Sequence, residues 1–223
     1  MAADDDLPAP LPLFPLTGVL LLPGNLLPLH VFEPRYRNLV EDALAGSRHL
    51  GMIQPRTPLR GDDRGEAPPQ PPELHAVGCA GRLVSHTALP GDRYLVVLQG
   101  VCRFRIRREL PLLRGYRRAM PDYAPFLGDR TEGERDLDTS ALLEVLEGFR
   151  QAHALELVGE QLASATGAQL LNLLAAHLPF PPAEKQALLE ATCAEERQEI
   201  LLALLRMSLA RPAAELYRTQ TLH

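Results

Sequence analysis

The sequence predicts an α+β protein, in which a small closed β-barrel with one inserted helix precedes a bundle of about four α-helices. The first observation is a change of composition along the chain. Residues 1–120 carry 15 basic and 12 acidic side chains, and residues 121–223 carry 8 and 16, so the net charges of +3 and −8 sum to the −5 of the whole chain. Proline and β-branched residues dominate the first half, and Leu, Ala, Glu and Gln the second. Strands followed by helices, rather than strict alternation, is the α+β pattern. The second observation is turn chemistry between short apolar runs in the first half. The third is an apolar repeat of three to four residues in the second half. A chain of 223 residues buries about 70% of its unfolded surface and needs no covalent staple. The expected division is a β-rich lobe over residues 1–121 and a helical lobe over 122–223.

Leu11–Leu16 and Leu26–Phe32 read as short strands separated by the Pro23-Gly24-Asn25 turn. Pro34 then suits the first turn of a helix, where its missing N–H has no partner to lose. Tyr36, Leu39, Val40, Ala43 and Leu44 follow at helical spacing, and Gly46 supplies the stop. His49–Gln54 is a third strand. Residues 56–73 hold five prolines and no aromatic, which predicts a mobile loop. Leu74–Thr87 and Arg93–Gly100 flank Pro90-Gly91-Asp92 as a hairpin. In Val101–Arg108, Phe104 and Ile106 alternate with Arg103, Arg105 and Arg107, the period of a half-buried strand. A last strand is expected around Gly115–Tyr123, and the polar stretch Asp122–Asp138 is the connector. Leu142, Leu143, Val145, Leu146 and Phe149 form one helical face, and Leu170, Leu171, Leu173, Leu174 and Leu178 another. Pro179-Phe180-Pro181-Pro182 stops the latter helix, Glu184–Thr192 begins the next, and Ile200, Leu201, Leu204, Leu205 and Ser208 mark the longest.

Several functions are excluded by composition. Three cysteines, Cys79, Cys102 and Cys193, with no CxxC, fit neither a disulfide scaffold nor a cysteine zinc site. The acidic start MAADDD is no signal peptide, and no apolar run reaches 18 residues, so no membrane association and a cytoplasmic location are expected. The basic residues are 22 Arg and one Lys. A Walker A loop and a Ser-Lys dyad each need a lysine in a specific setting, and Lys185 lies in PPAEKQALL, on a helix expected to face solvent. ATPase and Ser-Lys protease chemistry are therefore not expected here.

The remaining reactive residues form no catalytic or metal set, so no enzyme activity, cofactor or metal is expected. The seven histidines are scattered, with no HxH pair and no i, i+4 spacing. Ser85 and His86 are strand neighbours and point to opposite faces. Cys102 shares the Phe104 face, which makes it buried and inert. Glu195, Glu196 and Glu199 read as a solvated helix face, since acid–base work needs burial to split pKa values.

Three segments together carry a resemblance. LPLFPLTGVLLLPGNLLPLHVFEPRYRNLVEDAL (Leu11–Leu44), VGCAGRLVSHTALPGDRYLVVLQGVCRFRI (Val77–Ile106) and EKQALLEATCAEERQEILLALL (Glu184–Leu205) resemble, in the same order, the N-terminal substrate-binding domain of the bacterial Lon protease family. That resemblance implies a PUA-like β pseudobarrel followed by helices. It further implies recognition of unfolded or tagged polypeptides, or of another protein. The chain ends soon after its last helix, so a stand-alone domain without the ATPase and protease is expected.

Two surfaces are candidates for binding. In HVFEPRY, His30, Phe32, Glu33, Arg35 and Tyr36 would line a peptide groove; the competing local reading pairs Glu33 with the helix dipole and Arg35 with a neighbour. Recognition would use exposed apolar pockets or strand addition at an open sheet edge. The alternative is a nucleic-acid-binding face using Arg103, Arg105 and Arg107 within the cluster that runs to Arg118, since PUA-like barrels include RNA binders. Only Tyr116 would be near to stack on a base, which disfavours nucleic acid; salt bridges to the acidic helical half or a solvated strand face are the competing reading.

Overall fold

A computed structural model describes residues 7–57, 71–132, 137–153, 165 and 167–210 of the chain. They fall into two compact units. The first holds the described residues up to Thr17 and Leu21–Arg130, and the second holds Gly18–Leu20 and the described residues from Thr131 onward. The first unit thus includes residues 122–130, beyond the strand-rich stretch, and lends three residues between its first two strands to the second unit.

The first unit contains β1 (Leu11–Pro15), β2 (Leu26–Val31), α1 (Pro34–Ala45), β3 (His49–Ile53), β4 (Val77–Leu89), β5 (Arg93–Leu113) and β6 (Tyr116–Asp122). Sheet order is β2-β5-β4-β3-β1-β6, and β5 pairs additionally with β6. The pairings β1–β3–β4–β5–β6–β1 therefore form a circuit, with β2 attached outside it on β5. All pairs are antiparallel except β1–β3. Leu11, Leu13, Ile53, Leu74, Ala80, Phe104 and Ala119 fill one core, with Ile106 and Tyr123 against it.

Local chemistry explains most of these elements. Pro34 opens α1, and Tyr36, Leu39, Val40 and Ala43 form its buried face. Gly24 sits at φ 82° in the β1–β2 connection and Gly91 at φ 78° in the β4–β5 turn. The β5–β6 turn places Arg114 at φ 47° and Gly115 at φ 89°, the two positive values that a tight hairpin demands. Arg114 tolerates the position because α1 holds its side chain. Its guanidinium donates to Asp42 at 2.5 Å and to Glu41 and Asn38 at 2.9 Å, and its carbonyl accepts from Asn38.

Two expectations change here. The segments Arg93–Gly100 and Val101–Arg108 are not separate strands: β5 runs through Gly100 for 21 residues. Gly100 permits this because a side chain there would collide with the Leu22 carbonyl, while its own N–H donates to Asn25 at 2.9 Å. Register shifts along β5 bend the strand so that one chain serves two differently directed parts of the sheet. The expected loop over residues 56–73 lies largely outside the described residues, although Pro55 and Leu74 bridge its ends.

A 3₁₀ turn at Ala124–Phe126 and α2 (Asp129–Glu132) follow β6. The second unit then supplies α3 (Ser140–His153), α4 (Gly167–His177), α5 (Pro182–Glu190) and α6 (Ala194–Leu209). α6 packs on α3, α4 and α5. Its buried line is Ala194, Arg197, Leu201, Leu205 and Ser208, so Ile200 and Leu204 lie at its margin. Arg197 is fully buried; its Nε donates to the Leu188 carbonyl at 3.1 Å and a terminal nitrogen to Asn172 at 2.8 Å. Glu196, one of the expected solvated carboxylates, instead accepts from the Thr192 N–H and hydroxyl at the start of α6.

Lys185 also departs from expectation. It is part-buried, and its ammonium donates to the Gly18 carbonyl at 3.0 Å and to the Ala176 carbonyl at 3.2 Å. Burial lowers its pKa. The cation meets the carbonyl end of α4, where positive charge is favourable, and fastens Gly18 within the second unit.

Candidate functional site

The candidate surface is built from β2, the first half of β5 and the second half of β4. Antiparallel pairing sets Pro28 opposite Val97 and His30 opposite Leu95, and across β5 it sets Ser85 opposite Val97 and Thr87 opposite Leu95. Directly opposed side chains share a face about 5 Å apart. One face of this sheet is buried: Leu29, Val31, Val96, Leu98 and Leu83 are all below 10% exposure. The other face is open, and large apolar side chains stand there among the exposed His30, Ser85 and Thr87. Leu26 is 40% exposed, Leu95 42%, and Val84, at the register shift in β4, 44%. Phe32, just past β2, is 60% exposed. Several large apolar side chains on one sheet face make the kind of patch that soluble proteins keep for binding.

The five HVFEPRY residues divide in three ways. His30 and Phe32 are exposed, with ring centroids 6.1 Å apart, and border the open face. Glu33 and Arg35 bind one another, Nε to Oε2 at 2.9 Å and a terminal nitrogen at 2.7 Å, so Arg35 has a partner nearby, while Glu33, at the N-cap of α1, makes no side-chain cap bond. Tyr36 points inward. It is 6% exposed, its ring stacks on Phe14 at 4.3 Å, and burial pushes its phenol up to about 12. Tyr36 therefore supports the corner from beneath and does not offer a contact.

Leu26, Val84 and Leu95 went unnoticed in the sequence, although a signal was present. LLPLHV and YLVV lack the apolar–polar alternation of a half-buried strand. Both faces are apolar, and continuous apolar runs ordinarily mean burial on both sides. Among the described residues β2 pairs only with β5, and Pro28 brings no N–H to either flank, a feature that blunts an edge strand against a further one.

The arginine stripe does not form as expected. Arg103 is 1% exposed. Its backbone N–H donates to Asp129 at 2.8 Å, its Nε at 3.0 Å and a terminal nitrogen at 2.7 Å, and its guanidinium lies 4.7 Å from the Phe126 ring centroid. Alternation turned it away from Phe104 as read, but residues 126–129 cover that side of the strand. Arg117 is held by Glu109 at 2.6–2.8 Å and Arg114 by α1. These ion pairs are all internal to the first unit. Arg105, Arg107 and Arg108 remain exposed, their side chains without a hydrogen bond or ion pair among the described residues.

Cys79 and Cys102 are buried, and burial raises both thiols, Cys102 to about 12. Neither offers a thiolate near neutral pH. Among the described residues no helix is long and apolar enough to cross a membrane.

Comparison with known proteins agrees with this architecture. Residues 10–207 match the family described as the ATP-dependent protease La (LON) substrate-binding domain. The chain is 29% identical to Lon protease 2 of Myxococcus xanthus over 215 residues, which is 90% of this chain and 24% of that protein. It is 32% identical to Lon protease 2 of Sorangium cellulosum over 207 residues, 86% of this chain and 24% of that protein. The chain therefore spans about a quarter of the length of the curated relatives it matches. Among solved structures, the Lon N-terminal domain protein from Xanthomonas campestris superposes with a TM-score of 0.61 at 25% identity, covering 87% of this chain and 98% of that one. The N-terminal domain of Mycobacterium avium complex Lon protease shares the fold, with a TM-score of 0.58 at 17% identity over 88% of this chain and 98% of that one. With the family matched across both units and its fold found again in solved N-terminal domains, the chain belongs to the Lon substrate-binding domain family.

Proposed function

We propose that this chain is a non-enzymatic protein-recognition module that holds extended, unfolded or tagged polypeptide segments on the open face of β2, β5 and β4. In this reading the circuit of strands is a PUA-like pseudobarrel, the four helices are its companion bundle, and binding takes place in the cytoplasm. The observation that carries the proposal is the exposure of Leu26 and Leu95 on one sheet face, with Phe32 just past β2 and Val84 at the adjoining register shift exposed beside them. The substrate-binding description of the family supports it. Pro28 favours contact through side chains over strand addition. The occupant suited to the face is an apolar segment with neutral or acidic flanks. The one acidic residue of the chain between Leu74 and Phe104 is Asp92, and Arg37 engages it at 3.2 Å.

The test is binding of a reduced, alkylated, permanently unfolded polypeptide by titration calorimetry. Loss of one buried Leu or Phe contact is worth about tenfold in affinity. Phe32→Ser with Leu95→Ser is expected to weaken binding more than tenfold, while Arg105→Gln leaves it unchanged. Absence of binding by the parent chain, or indifference to the double substitution, would defeat the proposal.

A further inference from the structure

A concavity of about 440 Å³ lies in the first unit between the segment Pro8–Pro12, the end of α1 and the β5–β6 hairpin. Pro8, Pro10, Pro12 and Leu113 supply apolar walls. The acidic wall residue, Asp42, is already engaged on both oxygens: Oδ1 accepts from Arg114 at 2.5 Å and Oδ2 from the Tyr116 hydroxyl at 2.8 Å. The basic wall residue, Arg118, is not. Its Nε donates to the Pro111 carbonyl at 3.0 Å, and its two terminal nitrogens meet no acceptor among the described residues. The Ser47 hydroxyl, also in the wall, is equally free there. A mostly apolar cavity lined also by a serine and by an arginine whose terminal nitrogens are uncommitted has the composition of a small-ligand site.

We propose that this pocket binds a carboxylate carried on a small apolar group. Arg118 would take the carboxylate through its terminal nitrogens, Ser47 would add a donor, and the prolines with Leu113 would enclose the apolar part. A guanidinium presents its N–H groups in the planar fork that a carboxylate matches. Two sources carry this chemistry: the C-terminal residue of a polypeptide and a free short-chain acid. The site shares no residue with the open face of β2, β5 and β4, and the inference does not rest on that reading.

The test titrates the full chain by heteronuclear NMR with three probes: acetyl-Ala-Ala-Leu as the free acid, the same peptide as its C-terminal amide, and isovalerate. A charge-assisted pair is worth about tenfold. The free acid is therefore expected to bind at least tenfold tighter than the amide, with the largest shifts at Ser47 and Tyr116. Arg118→Gln should abolish the preference, and Ser47→Ala should reduce it severalfold without needing the arginine to change. Arg108→Gln and Phe32→Ser should leave it intact. Isovalerate binding as tightly as the peptide acid assigns a free acid as the ligand, and tighter peptide binding assigns a chain terminus. Equal binding of acid and amide, no binding of any probe, or a preference that survives both Arg118→Gln and Ser47→Ala would overturn the proposal.

Discussion

The two halves of β5 invert the usual relation between polarity and burial. In the first half the side chains turned away from the buried face are Leu95 and Val97, and Leu95 is 42% exposed. In the second half the residue turned away from Phe104 is an arginine, and it is 1% exposed. One strand with one alternation thus exposes a leucine and hides a guanidinium. The difference is what the chain lays over each half. Phe126 and Asp129 cover the second half at Arg103, leaving Arg105, Arg107 and Arg108 exposed, and Asp129 brings the carboxylate that makes burial of Arg103 tolerable. Among the described residues nothing comparable covers Leu95, Val84 and Phe32. A covered polar position reads as architecture, and an uncovered apolar one as a binding surface.

This contrast can be broken at the covered half first. Asp129→Ala leaves a buried cation without its carboxylate and is expected to cost about 3–5 kcal/mol, read as a fall in the urea midpoint. Replacing both partners, Arg103→Met with Asp129→Leu, should restore part of that loss, because it removes the uncompensated charge while the Arg103 N–H still lacks the acceptor that Asp129 supplies. A double variant as unstable as the single one would show that the pair acts otherwise.

A smaller effect is expected at the corner under Phe32. The phenol of Tyr36 ordinarily ionises near 10.0, and burial pushes it up to about 12. The folded state therefore keeps a proton that the unfolded state releases. Its stabilising contribution is complete below pH 10, is lost as pH rises from 10 to 12, and amounts to about 3 kcal/mol. Tyr36→Phe should flatten the alkaline limb of a stability–pH curve over that interval. An unchanged limb would place the phenol in contact with water.

The least effect on stability is expected on the open half. Phe32→Ser and Leu95→Ser should each shift the unfolding free energy by no more than about 0.5 kcal/mol, while together they are expected to weaken the proposed binding of unfolded polypeptide. A loss of several kcal/mol instead would mean that the face is structural and covered.

Much of the fold was legible because local chemistry set it. Pro23-Gly24-Asn25 and Pro90-Gly91-Asp92 end strands, Pro34 starts α1, and the buried Tyr36–Leu39–Val40–Ala43 face follows from helical spacing. The continuity of β5 was not legible, because Gly100 reads as a strand end until Leu22 is found against it. The burial of Arg197 and the tether made by Lys185 were equally hidden, since their acceptors are remote in sequence or belong to the backbone. Of the candidate site, His30 and Phe32 could be named in advance. Leu26, Val84 and Leu95 could not, since an apolar run does not say whether anything will cover it.

By itself, then, the sequence determined where most strands and helices begin and end, β5 excepted, the absence of a lysine-dependent catalytic motif, and the family. Turn chemistry, capping and periodicity act within a few residues and survive in a linear reading. Which side of each strand is covered was decided only by the tertiary structure. That choice depends on pairs such as Arg103 with Asp129, and on close approaches such as Gly100 to Leu22, that no local propensity encodes.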